Sequence, residues 1–580
     1  VCGRIVWCCF PSLDADPIFC ALLNPARGDD ADGAFAIEIE DFACATQEYL
    51  RNTAILLTTL TDRSGSALRI TDFVPRYSEY DTTFRPSALV RRVEAIRGSP
   101  RVRIRVRPLT SYGAVSPTMS QGSNYLRYRS ENYDVRLTTN APISYVKHEV
   151  PFGLAEPIDL IFGADEVIPE PIAATARNLL ARTEQYWLEW TRYLSIPFEW
   201  QDAVIRSAIT LKLCSFEETG AIIAAMTTSI PEAPNTTRNW DYRYCWLRDA
   251  HFVVYALNRL SATRTMEGFV RYVTDVAALD PAGRLQPVYA IVPGAPFEEH
   301  VVESLAGYRG MGPVRVGNQA GEQIQNDVYG SVVLAAAQMF FDRRLPCMGD
   351  IALFQRLEKL GELAAGLAFE PDASLWEFRG RAAVHTYSAA MGWAACDRLA
   401  DIAAALDVPA RAQYWRSQAE RIRAVILEDA WDAERGTFVD QLGGKHLDAS
   451  LLLLHEIGFV TASDPRFLGT LAAVEQRLRR GDHVYRYDVA DDFGVPTTAF
   501  TVCTFWYINA LAAVGRRDEA RAMLERVLLC RNHVGLLSEG VAPETNELWG
   551  NFPQTYSMVG LIISAMRLSR TWEDAFRPSS

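Results

Sequence analysis

The feature that most constrains this chain is a change of periodicity near residue 173. Before it, short β-rich runs are separated by clusters of Pro, Gly, Asn and Asp. Residues 101–107, RVRIRVR, alternate charged and β-branched side chains, the pattern of a half-buried strand. Similar runs at 3–8, 34–40, 53–60, 67–73, 88–96, 133–138 and 157–162 predict an antiparallel β-sandwich over residues 1–172. The stretch 173–195 is amphipathic and helical and reads as a linker helix within 173–198. Helical stretches then follow one another at 201–219, 249–260, 265–279, 324–342, 350–368, 387–404, 409–427, 446–457, 468–479, 499–513, 516–530 and 554–569. Twelve helices can pair antiparallel and close into an (α/α)6 barrel over 199–580. The expected fold is therefore α+β and multidomain: a sandwich followed by a helical barrel. A length of 580 residues agrees with more than one domain.

Composition narrows the chemistry. The net charge of -13 does not suit nucleic acid or an anionic membrane surface, which need clustered Lys and Arg. A neutral ligand such as a sugar fits. No apolar run approaches the length of a membrane span. The eleven cysteines are odd in number and show no CxxC spacing, so they read as reduced, buried thiols. That favours a cytoplasmic over a periplasmic setting. The first residue is Val1, which leaves a signal peptide open. The oligomeric state is not legible.

Three loop segments concentrate reactive and aromatic residues. The first runs from Asn239 to Asp249 (NWDYRYCWLRD) and packs four aromatics and two Arg–Asp sets just before a helix. Aromatics stack on a pyranose face, and Arg and Asp bind its hydroxyls in fixed directions. The segment reads equally well as a buried aromatic knot with Asp249 as the helix N-cap. The second is Leu375 to Gly380 (LWEFRG), with His385 and Tyr387 beyond it. A carboxyl between two aromatics has a raised pKa, as a general acid needs. Glu377 reads at least as well as a surface carboxylate paired with Arg379. The third holds Glu539 in Ser538-Glu539-Gly540, followed by Trp549 to Tyr556. Taken alone, Glu539 reads as a solvated loop carboxylate.

Other groups carry less. Glu298-Glu299-His300 reads as a solvated loop rather than a metal site, and Glu217-Glu218 and Asp491-Asp492 as exposed charge or caps. The chain has no GxSxG elbow, HExxH helix or P-loop. Serine hydrolases, zinc hydrolases and nucleotide enzymes lose ground accordingly.

Taken together and in order, the segments resemble glycoside hydrolase family 15, the glucoamylases and bacterial trehalases. The match runs through NWDYRYCWLRDA, GYRGMGPVRVGN (307–318), QIQNDVYG (323–330), LWEFRG, CDRLA (396–400), LDASLLLL (447–454), CTFW (503–506) and GNFPQTYS (550–557). The resemblance implies Glu377 as general acid and Glu539 as the base that activates water. It implies Arg248 and Asp249 gripping the terminal glucose, with Tyr242, Trp246 and Tyr556 lining that subsite. Trp376 is implied beside the acid and Arg486 on the leaving side. Inversion places such carboxyls roughly 6.5–9.5 Å apart with a water between them. Neither a metal nor an organic cofactor is implied.

The sequence departs from the family pattern at Thr497-Thr498-Ala499-Phe500, where many relatives carry Glu-Gly-Thr-Phe, and at Gly540, which follows the base. Both changes bear on linkage and chain-length preference. The leading expectation is a glucoamylase-like exo-hydrolase of α-1,4 or α-1,6 gluco-oligosaccharides. The alternative is a trehalase on the same scaffold. A phosphorylase or transglycosylase is disfavoured, because phosphorolysis needs no protein base and Glu539 is present.

Overall fold

The structure is a computed structural model, and it describes residues 3–24, 32–80, 82–280 and 282–576. Val1 and Cys2, the latter counted among the eleven cysteines, lie outside the described residues. The chain forms two compact units. One comprises Val1–Leu194 with Val302–Val314 and His533–Gly535; the other holds the remainder.

The first unit is an antiparallel sandwich. A four-stranded sheet is built from Arg4–Ile5, Ala34–Ile39, Arg101–Arg107 and Phe152–Gly153. The larger sheet has eight strands, with Ile158–Ala164, Ala88–Arg97 and Ala67–Phe73 at its centre. The alternation of RVRIRVR sets the pleat of the four-stranded sheet. Val102, Ile104 and Val106 are buried against Leu68, Ile70, Val93 and Phe162 of the larger sheet, while the arginines point away. Each such apolar side chain contributes about 1.5–3 kcal/mol on burial. Two strands outside the expected set, Phe42–Tyr49 and Thr118–Gln121, form the edges of the eight-stranded sheet. They are largely exposed and therefore lack a buried apolar face to betray them. The helix Ile172–Arg192 is more than a linker. Its Ala176, Leu179 and Leu180 pack on Phe73, Val90 and Ile161 of this sheet.

In the second unit each of the twelve expected stretches contains a helix. Leu247–Arg259, Asp327–Ala337, Thr386–Ala405, Leu453–Glu456, Thr501–Ala513 and Thr555–Leu568 form the inner ring; neighbours pack on one another, with Thr501–Ala513 meeting the turn Ala449–Leu452 that leads into Leu453–Glu456. Inner helices are buried over most of their surface, though Leu247–Arg259 buries Arg248, Asp249 and His251 with its apolar residues. Thr501–Ala513 is buried everywhere but at its last residue. Outer helices are amphipathic: Arg264–Ala277 buries Met266, Phe269, Tyr272, Val273 and Val276 at helical spacing. Several expected helices are shorter than their stretches, as Asp327–Ala337 is within 324–342. The one at 201–219 ends at Leu213, where Ser215–Phe216 pairs with Ala221–Ile222. The stretch 446–457 begins as a 3-10 turn, Ala449–Leu452, capped by the Asp448 carboxylate on the Ser450 amide. Among the described residues no helix is long and apolar enough to cross a membrane, and the ten described cysteines are free thiols.

Candidate active site

One pocket gathers all three loop segments. Its lining comes from the loop into, or the first turn of, five inner helices. Arg248 and Asp249 open one helix. Gln323 and the segment Trp376–Arg379 lead into two others, Phe500 precedes a fourth, and Gln554 and Tyr556 begin the last. About 880 Å³ of space lies within the pocket and its open mouth. Tyr556 lines the pocket and packs on rings behind it. Phe252 and Tyr556 lie 5.2 Å apart edge to face, and Trp506 closes the set at 6.3 Å from Tyr556.

Glu377 sits in a tight turn where Ser374 and Glu377 both adopt left-handed backbone, φ 65° and 62°. Such a conformation costs a non-glycine residue about 1–3 kcal/mol and is held only by surrounding structure. Here Asp372 accepts from the amides of Asn326 and Ser374, at 2.7 and 3.0 Å. The carboxyl Oε1 of Glu377 accepts from Trp246 Nε1 at 2.6 Å and from Arg248 Nη2 at 3.3 Å. Burial raises its pKa, and Arg248 and the Trp246 bond act against that rise. Arg379 does not partner it; that guanidinium forks onto Glu299 at 2.8 and 3.0 Å. Trp376 is anchored by its Nε1 on Asp448, 3.0 Å away.

Glu539 is not a solvated carboxylate; it is 2% exposed. Its Oε1 accepts from the Tyr242 hydroxyl at 2.6 Å, and its Oε2 has no hydrogen-bond partner among the described residues. Burial and the nearby Glu232 push its pKa up, against the Tyr242 bond and the charge of Arg486. Two carboxyls held above the ordinary range favour a state with one proton between them. That state is the one an acid–base pair must occupy.

Arg248 organises the floor. It bonds Gln325 Oε1 at 2.6 Å and lies 3.3 Å from both Asp327 and Glu377 and 3.9 Å from Asp249. Asp249 is not the N-cap; Trp246 holds that position and Asp249 faces the pocket. Burial raises the Asp249 carboxyl to about 7, with Arg248 opposing. Arg486 pairs with Glu232 at 2.7 Å. The pocket thus brings together every expected site residue: Tyr242, Trp246, Arg248, Asp249, Trp376, Glu377, Arg486, Glu539 and Tyr556.

Nothing in the sequence singled out Glu232, which takes Trp240 Nε1 and Arg486 at 2.7 Å each. Gln325 and Asp327 lay in a quoted motif without a role. Asp491 corrects the reading of exposed charge. Its side chain is 5% exposed and receives both terminal nitrogens of Arg238. Among the described residues no cluster of His, Cys, Asp and Glu could hold a metal ion.

Trp246→Phe removes a donor that favours ionised Glu377. The Glu377 pKa should rise, so the alkaline limb of the kcat/KM profile should move up in pH. kcat itself should fall about tenfold, with one charge-assisted bond lost. An unmoved alkaline limb would show that this bond does not govern the acid.

Both parts of the chain resemble known proteins. The family model "Glycosyl hydrolases family 15" matches residues 200–566. The model "Trehalase-like, N-terminal" matches residues 2–150. A trehalase of Thermoplasma volcanium is 32% identical, with 98% of this chain and 90% of that protein covered. A trehalase of Mycolicibacterium smegmatis is 31% identical, covering 99% and 89%. A bacterial glucoamylase solved in complex with acarbose aligns over 98% of this chain and 91% of its own, with TM-score 0.67 and 15% identity.

Proposed function

The chain belongs to glycoside hydrolase family 15, and on that premise we propose that it is an inverting exo-hydrolase that cleaves α,α-trehalose, with Glu377 as acid and Glu539 as base. The observation that carries the reaction is one pocket lined by two carboxyls, the half-buried Glu377 tied to Trp246 and Arg248 and the buried Glu539 tied to Tyr242. The linkage rests on the relatives named trehalase, which match over almost the whole length. That moves the substrate from the glucoamylase expectation to its alternative.

The chemistry follows from the residues. A glucosyl unit enters the floor, where Arg248 and Asp249 bind its hydroxyls and Tyr242 and Trp246 pack on its ring. Glu377 gives its proton to the glycosidic oxygen as the bond from that oxygen to the anomeric carbon breaks. A water attacks the opposite face of the carbon and passes a proton to Glu539, whose Oε2 is free to accept it. Positive charge developing at the ring is offset by ionised Asp249. Arg486, held by Glu232, contacts the departing sugar.

Trehalose, maltose, isomaltose and panose offered in parallel test the linkage. Glucose should appear fastest from trehalose. Faster release from maltose or panose would overturn the trehalase reading in favour of a glucoamylase.

A further inference from the structure

From its floor outward the pocket changes character. Arg248, Asp249 and Glu539 are buried, whereas Phe493 at the rim is 37% exposed. Phe493 belongs to the turn Asp491–Gly494, closed on itself by backbone bonds of 3.1 and 3.2 Å. This turn is not a loose loop. Arg238 forks onto Asp491 at 2.8 and 2.5 Å and bonds the Gly494 carbonyl at 2.7 Å. The Tyr487 hydroxyl adds a bond of 2.6 Å to Asp491. A buried, bidentate pair of this kind fixes geometry as well as adding energy.

The turn is also locked to the loop of the acid. Asp492 accepts from the Arg379 amide at 2.7 Å, two residues beyond Glu377. Gly380 lies so close that a Cβ there would sit 2.5 Å from Asp492 Oδ1. Phe493 then stands edge-on to Trp240, with ring centres 5.0 Å apart. Arg379 covers the same indole at 4.5 Å and Arg315 at 5.0 Å. Trp240 is thus enclosed on the leaving side rather than offered as an open stacking platform for a longer glucan.

We propose that the Asp491–Gly494 turn is a fixed cap that limits the leaving side of the pocket to one sugar unit, with Phe493 as a specificity-determining residue. The inference rests on the reading of this pocket as the glucoside-cleaving site, but not on which linkage is cleaved. It accounts for a disaccharide preference by shape. A second unit on the leaving sugar would meet the Phe493 ring, whose turn is held in place by the buried Arg238–Asp491 pair.

Two substrate pairs test it: trehalose with glucosyltrehalose, and maltose with maltotriose. Whichever linkage the enzyme cleaves, the pair carrying that linkage reads the cap, so a failed trehalase assignment does not conceal a failed cap. The wild type should prefer the disaccharide of its pair by about tenfold or more in kcat/KM. Phe493→Ala should reduce that preference at least about fivefold, with disaccharide turnover changed less than about threefold. Phe493→Trp, a larger ring at the same place, should sharpen it. A wild type that cleaves both members of its pair equally well would overturn the cap. So would a preference unchanged in both variants.

Discussion

Glu539→Gln is expected to lower kcat by about 10²–10⁴-fold, the contribution of a positioned general base. Gln keeps an oxygen for the 2.6 Å bond from Tyr242 and nearly the same volume. It cannot take a proton from water. The fold should survive, because the change removes an ionisable group from a site where burial and Glu232 already disfavour its charge. Thermal unfolding at neutral pH should therefore show no loss of stability. Tyr242→Phe complements it. The Tyr242 bond favours ionised Glu539, so its loss should raise that pKa further and move the acidic limb of the pH–rate profile upward. Activity requires Glu539 ionised and rises with pH through its pKa. In the wild type that limb should already lie above the ordinary glutamate value of about 4.3. An acidic limb at about 4 would contradict the electrostatics of the pocket, and a Gln variant with near-normal kcat would remove Glu539 from the reaction.

Arg248→Met is expected to cost both stability and rate. Arg248 is 3% exposed and is the cation that faces Asp327, Asp249 and Glu377. Removing one partner of a buried ionic group costs about 3–5 kcal/mol, because charges are left uncompensated. The loss should depend on pH. Asp249, held at about 7 by burial, and Asp327, also raised, are kept down by Arg248. Without it their folded-state pKa values rise further above the unfolded value of about 3.9. Below that value both states are protonated and the deficit is absent. As pH rises, the unfolded chain ionises first and gains the advantage, until the raised pKa values are passed. Denaturant unfolding should show a deficit that is small at pH 4 and large at pH 8. An equal deficit at both would place the effect in packing instead. kcat/KM should fall about 10²–10³-fold, as expected for a preorganised donor at a reacting centre.

The helical half was legible because each helix carries its own signal. Thr501–Ala513 is apolar over nearly its whole length, and Arg264–Ala277 shows a single apolar stripe. The sandwich was legible where one face is buried, as in RVRIRVR, and illegible at its polar edges. The site was a different matter. Tyr242 and Glu539 are 297 residues apart in sequence, and Glu232 and Arg486 are 254 apart. No local pattern announces such meetings. Glu377 and Glu539 had bland readings as good as their functional ones until the ordered motifs placed them around a sugar. Asp491 read as surface charge because its partner, Arg238, lies on a distant loop. Substrate choice was least legible of all, since it is decided by the shape of a rim built from several loops.

The central claim is inversion by Glu377 and Glu539, and the anomers of the first glucose released from trehalose test it most directly. Proton NMR at early times, before mutarotation, resolves the two forms. Water attack opposite the leaving oxygen gives β-glucose from the unit in the floor, while the departing unit keeps its α configuration. The account therefore requires α- and β-glucose in equal amounts. Two α-glucose molecules per trehalose would contradict it, because they would mean retention and a nucleophile in place of the base.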